Sequence, residues 1–155
     1  MDFKAILAEF CAAVEAGDGK RLAGLFTPDG VYHDVFYGAF KGREKIAELL
    51  GTFHRDGSKF KWRMVDAVDD GATGYARWFF SYTAETPQAK GRRVTMEGVG
   101  FFKLKDGLLA SYEDYARTGE SLVQLGLPPE KLHRVLAKMT AQQNAKPEAK
   151  EHLAA

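Results

Sequence analysis

The chain is poor in cysteine, in charge of one sign and in long apolar runs, and each shortage excludes something. A single cysteine, Cys11, rules out an internal disulfide and a multi-cysteine zinc cage. Lys and Arg number 22 against 21 Asp and Glu, a formal charge of +1. That balance supplies no broad positive field to gather a nucleic-acid backbone, so no nucleic-acid partner is expected. No apolar run approaches the roughly 20 residues of a membrane-spanning helix. The opening Met1 to Lys4 lacks the positive-then-apolar order of a secretory leader, so a cytoplasmic protein with no membrane partner is expected. With 155 residues, 45% of them apolar and 28% charged, the composition is that of one globular domain. The domain is expected over 1–140, followed by a polar, frayed tail over 141–155.

Phe3, Ile6, Leu7, Phe10, Cys11 and Val14 recur at helical spacing and end near Gly17. Asp18 then caps a short second helix carrying Leu22, Leu25 and Phe26. Thr27 to Gly30 is turn chemistry, and Val31 to Tyr37 reads as a first strand broken by Gly38 to Gly42. Ile46, Leu49, Leu50 and Phe53 mark a third helix. From Lys59 the texture becomes four strands separated by Asp69-Asp70-Gly71, a turn around Pro87 to Gly91, and Lys105-Asp106-Gly107. Two closing helices, split by Pro128-Pro129, follow. The order predicts an α+β fold, a cone-shaped curved antiparallel sheet with the N-terminal helices packed on its concave face. Such a cone encloses a cavity, the default place for a ligand.

Strand parity sorts the polar residues. Tyr32, Asp34 and Phe36 share one face of the first strand; Tyr112 and Asp114 share one face of the last. On the strand between them, Tyr75, Arg77, Phe79 and Ser81 form one set and Ala76, Trp78, Phe80 and Tyr82 the other. Asp114 and Arg77 each sit among apolar neighbours, where an unpaired charge is costly, so a buried carboxylate beside an arginine is one reading and a plain structural or surface ion pair the other. Asp34 has an equal alternative as the cap of the turn near Gly38. His33 and His54 lack partners at metal spacing, and no metal is assigned. Cys11 lies on the apolar stripe of the first helix and reads as packing.

These residues carry a resemblance. From Phe3 to about Leu127 the chain resembles the nuclear-transport-factor-2-like superfamily in its SnoaL-like branch, and its second half is similar to limonene-1,2-epoxide hydrolases. The similarity runs through Gly98 to Leu104, Asp106-Gly107, Tyr112 to Tyr115, and Leu122 to Leu127. It implies that Asp114 activates a water, that Arg77 bridges the catalytic carboxylates, and that Tyr32 and Asp34 hold the water. Phe79 stands where the hydrolases have their proton-donating Asp, which Phe cannot replace. Asp34 also matches the proton-shuttling Asp of ketosteroid isomerases, although Phe10 stands in place of their oxyanion-hole tyrosine. Asp114 is similar in placement to the acid/base Asp of SnoaL-type polyketide cyclases.

The resemblance therefore implies a cofactor-independent acid/base enzyme acting on a small hydrophobic cyclic molecule, of isomerase, cyclase or lyase type ahead of epoxide hydrolysis. The alternative is a noncatalytic binding module for a hydrophobic metabolite. Asp114, Arg77, Asp34 and Tyr32 are the expected catalytic group, and Phe79, Met96, Tyr112, Trp62, Phe36 and Phe10 the expected substrate wall. If Arg77 and Phe79 look inward, Trp78, Phe80 and Tyr82 look outward and supply a homodimer face, which Trp78→Glu would dissociate.

Overall fold

The structure is a computed structural model that describes residues 1–154. Helix α1 (Phe3–Ala16) begins where the Asp2 carboxylate accepts from the Ala5 amide at 2.8 Å and stops at Gly17, whose φ of +71° suits glycine. The expected stripe of α1 is buried. Asp18 caps α2 (Gly19–Gly24) in the same way, accepting from the Arg21 amide. Helix α3 (Arg43–Asp56) buries Ile46, Leu49 and Leu50. Its His54 Nε2 lies 2.8 Å from the Val14 carbonyl, which ties α3 to α1 and leaves this histidine a structural task.

The strands are β1 (Phe26–Asp34), β2 (Gly38–Lys41), β3 (Gly57–Asp69), β4 (Thr73–Ala84), β5 (Arg93–Lys105) and β6 (Leu108–Ala116). They form one six-stranded sheet in the order β2-β1-β6-β5-β4-β3. The four-strand antiparallel meander is present, but the sheet is mixed because β1 runs parallel to β6. β1 also begins earlier than expected, at Phe26, taking in the Thr27-Pro28-Asp29-Gly30 segment as an irregularity of pairing. Gly38 to Lys41, expected to break the strand, instead returns as β2 and pairs antiparallel with β1.

β3 is bent at two places, between Ser58 and Lys61 and between Val65 and Val68, where its register against β4 slips. Lys59 and Asp66, inside those slips, have φ of +51° and +55°. Bulges of this kind bend a strand and deepen its twist, and they wrap the sheet around α1. The concave face of the sheet and α1 enclose the core, where Phe10, with no solvent exposure, meets the rings of Tyr32, Trp62, Phe102 and Tyr112.

Helices α4 (Thr118–Gln124), α5 (Pro129–Asn144) and α6 (Ala149–Leu153) complete the chain. Helical structure thus continues into the segment expected to fray, and Lys146 within it reaches Glu113 at 3.3 Å and lies over the Tyr115 ring.

Candidate functional site

A cavity of about 280 Å³ opens between the concave sheet face, the end of α3, the β1–β2 turn and α4. Its wall is aromatic: Phe53 from α3, Phe60 and Trp62 from β3, and Trp78, Phe80 and Tyr82 from β4, with Met96 from β5. The parity of β4 explains this wall. Ala76 and Trp78 are buried while Tyr75, Arg77 and Phe79 are exposed, so the set carrying Trp78, Phe80 and Tyr82 turns inward. Room for it comes from β5. Gly98 pairs with Trp78 and Gly100 with Ala76. A Cβ on Gly98 would lie 2.7 Å from the Trp78 ring, and one on Gly100 2.9 Å from the Tyr112 ring. Gly100 also pairs with Asp114 on β6, and the rings of Phe102 and Tyr112 fill the space a side chain at Gly100 would take.

Of the four expected catalytic residues, three converge and one does not. Tyr32, Asp34 and Asp114 border the cavity. Arg77 is on the outer face, where it binds Asp66 at 2.9 Å with two thirds of its side chain in solvent. The correction has a physical cause: turning Arg77 inward would put Trp78, Phe80 and Tyr82 in water, and burying those rings outweighs pairing one guanidinium in the dark. Phe79 goes outward with Arg77, 53% exposed, and forms no part of the wall. The outward aromatic row expected to build a dimer is therefore the wall itself; Trp78 is 4% exposed. Trp62 and Met96 are in the wall as expected, and Phe36 stands at its mouth. Phe10 and Tyr112 lie behind the wall as fully buried support.

Asp34 does both things the sequence left open. Its Oδ1 accepts from the amides of Phe36 (2.8 Å) and Tyr37 (2.9 Å), which shapes the turn, and the same carboxyl faces the cavity. Burial raises its affinity for a proton, against the pull of those two amides. Asp114 is more strongly perturbed. Burial pushes its carboxyl well above the usual carboxylate range, the Tyr112 hydroxyl that donates to it opposes the rise, and the charge of Asp34 adds to it. Burial likewise raises Tyr32 and Tyr112, with Asp114 as the next cause in each. The Tyr32 hydroxyl has no hydrogen-bond partner among the described residues.

Two residues that the sequence did not single out close the mouth. Tyr37 donates to Asp56 Oδ2 at 2.9 Å, linking the β1–β2 turn to the end of α3. Asp56 also pairs with Arg55 at 2.9 Å, which holds its carboxyl below the usual range. The helical stripe ending at Phe53 pointed to this end of α3. Among the described residues, no group of three His, Cys, Asp or Glu side chains is placed to hold a metal ion.

A family model for a SnoaL-like domain matches residues 7–112. A protein from Catenulispora acidiphila with a ketosteroid isomerase-like fold, solved in complex with trimethylamine, superposes with a TM-score of 0.71 at 20% identity, over 81% of this chain and 95% of its own. A polyketide cyclase-type protein from Xanthomonas campestris superposes at 0.66 with 19% identity, over 79% of this chain and 95% of its own. An epoxide hydrolase of the limonene type from M. tuberculosis superposes at 0.64 with 19% identity, over 89% and 94%. At such identities the likeness is one of fold. No curated protein matches the chain in sequence.

Proposed function

The chain belongs to the SnoaL-like domain family, and from that premise we propose that it is an enzyme moving a proton on a small hydrophobic cyclic substrate. The observation that carries this reading is the convergence of Asp34 and Asp114, far apart in the sequence but on neighbouring strands β1 and β6, on one aromatic cavity. A carboxyl whose proton affinity is raised by burial is, once ionised, a stronger base than an ordinary carboxylate. Asp114 takes a proton from a carbon beside a substrate carbonyl, and the same proton returns to another atom of the enolate. Tyr112 orients the Asp114 carboxyl. Asp34 and Tyr32 face the substrate oxygen.

Isomerase, cyclase and lyase chemistry all begin with that abstraction. Epoxide hydrolysis ranks below them. It asks for an arginine between two acids, and Arg77 and Phe79 are both on the far side of the sheet.

Deuterium uptake tests the reading. A cyclic ketone such as 2-tetralone, incubated in deuterated buffer, should exchange its α-hydrogens faster with protein present, with the gain lost in Asp114→Asn. Binding of the ketone without any added exchange would favour a noncatalytic carrier.

The outer sheet face supports a second proposal, a homodimer. Val65, Arg77, Val99 and Tyr115 lie side by side across four strands, with Tyr75 and Phe79 flanking Arg77 along β4; all are exposed. A second copy of the chain would cover this apolar patch. Light scattering at micromolar concentration should give a dimer, and Phe79→Glu should give a monomer with native-like circular dichroism; a wild-type monomer would sink the proposal.

A further inference from the structure

The charges around the cavity do not balance. Asp34, Asp56 and Asp114 border it, and among the described residues no Lys, Arg or His does. Asp56 is held by Arg55 and Tyr37. Asp34 and Asp114 have no ion-pair partner among the described residues. Asp34 accepts from two backbone amides and Asp114 from the Tyr112 hydroxyl. Facing them are Tyr32, Tyr37, Tyr82 and Asp56, none of which is a cation, while Glu113 lies on the other side of the sheet, paired with Lys146.

Two further observations indicate what would balance these acids. The fully buried Tyr32 hydroxyl borders the cavity without a partner, and its oxygen can accept a hydrogen bond from a ligand. The wall opposite is aromatic, with Trp62 tilted against Phe80 at 4.8 Å and edge-on to Trp78 at 5.9 Å, and the Nε1 of each tryptophan also lacks a partner among the described residues. Ring faces attract cations, most strongly where water is excluded.

We propose that the cavity takes a ligand carrying a protonated amine on a hydrophobic ring, with the ammonium beside Asp34 and Asp114 and the apolar part against the tryptophans. The proposal names a ligand class for the cavity; it rests on the cavity being the ligand site and is independent of turnover, since an ammonium paired with Asp114 occupies the base. Burial raises the proton affinity of both carboxyls, and an ammonium pairs only with the ionised form, so affinity for the amine rises with pH until the carboxyls are ionised.

Both tryptophans of the chain line the cavity, so their fluorescence reports binding directly. The probe is N,N-dimethylbenzylamine, cationic at neutral pH, compared with isobutylbenzene, its uncharged shape match. The amine should bind at least tenfold more tightly at neutral pH, with an affinity that falls on acidification. The hydrocarbon should show no such pH dependence. Asp34→Asn and Asp114→Asn keep an oxygen for the turn amides and for Tyr112, and each should shrink the preference for the amine. Equal or tighter binding of the hydrocarbon overturns the amine proposal and leaves the reading of a hydrophobic ligand site intact. Quenching by neither probe overturns both.

Discussion

Asp114→Asn should leave a protein without turnover that is nonetheless more stable than the parent at pH 8. On the function proposed above, the loss of rate follows from removing the base, and general-base removal costs on the order of 10²- to 10⁴-fold. The gain in stability follows from linkage. The folded chain holds the Asp114 proton more firmly than the unfolded chain does, chiefly because the carboxyl is buried. Its contribution to stability is therefore complete below the unfolded carboxylate range and is lost as pH rises toward the folded value. Above that, the parent must hold a charge away from water, whereas asparagine stays neutral and still offers Tyr112 an acceptor. A gain of roughly 1 kcal/mol would raise the melting temperature of a chain this size by about 2–4 °C. The difference between the two proteins should vanish near pH 3. Thermal melts across that range decide it; a variant less stable than the parent at pH 8 would show that Asp114 is held as a stabilising anion.

Trp78→Glu should prevent folding. The sequence alone predicts a milder outcome, loss of a dimer, because it places Trp78 on the outside. It is buried, packs against Trp62 and faces Gly98, which has no side chain there. The substitution removes a large ring from the core and strands an unpaired charge, two of the mechanisms behind losses above about 4 kcal/mol. Far-ultraviolet circular dichroism should show a largely unfolded chain. Native-like dichroism with a halved mass would return Trp78 to the outer face.

That reversal marks where the sequence stopped being legible. The α2 cap, the end of α1, its stripe and the turns between the long strands could be read locally, since Asp18 and Gly17 act on backbone within a few residues of themselves. Tyr32, Asp34 and Asp114 could be placed together because parity and family resemblance agreed. On β4 both alternating sets carry large aromatics, so periodicity separates them without saying which goes inside. The resemblance favoured Arg77, and the bulk of Trp78, Phe80 and Tyr82 decided otherwise. The short strand β2 was hidden for a different reason. Gly38 and Lys41 are poor strand residues, and what makes them a strand is pairing with β1 across a turn organised by Asp34.

The parallel contact between β1 and β6 sets the order in which the molecule can be assembled during synthesis. β1 leaves the ribosome early, yet its sheet neighbour on the inner side, at Tyr112 beside Tyr32, is some eighty residues later. Loop closure over that separation is slow compared with forming the β3–β4 and β4–β5 hairpins. Until the last strand arrives, Asp34 stands at the edge of an unfinished sheet. The two acids therefore cannot meet until β6 has been made.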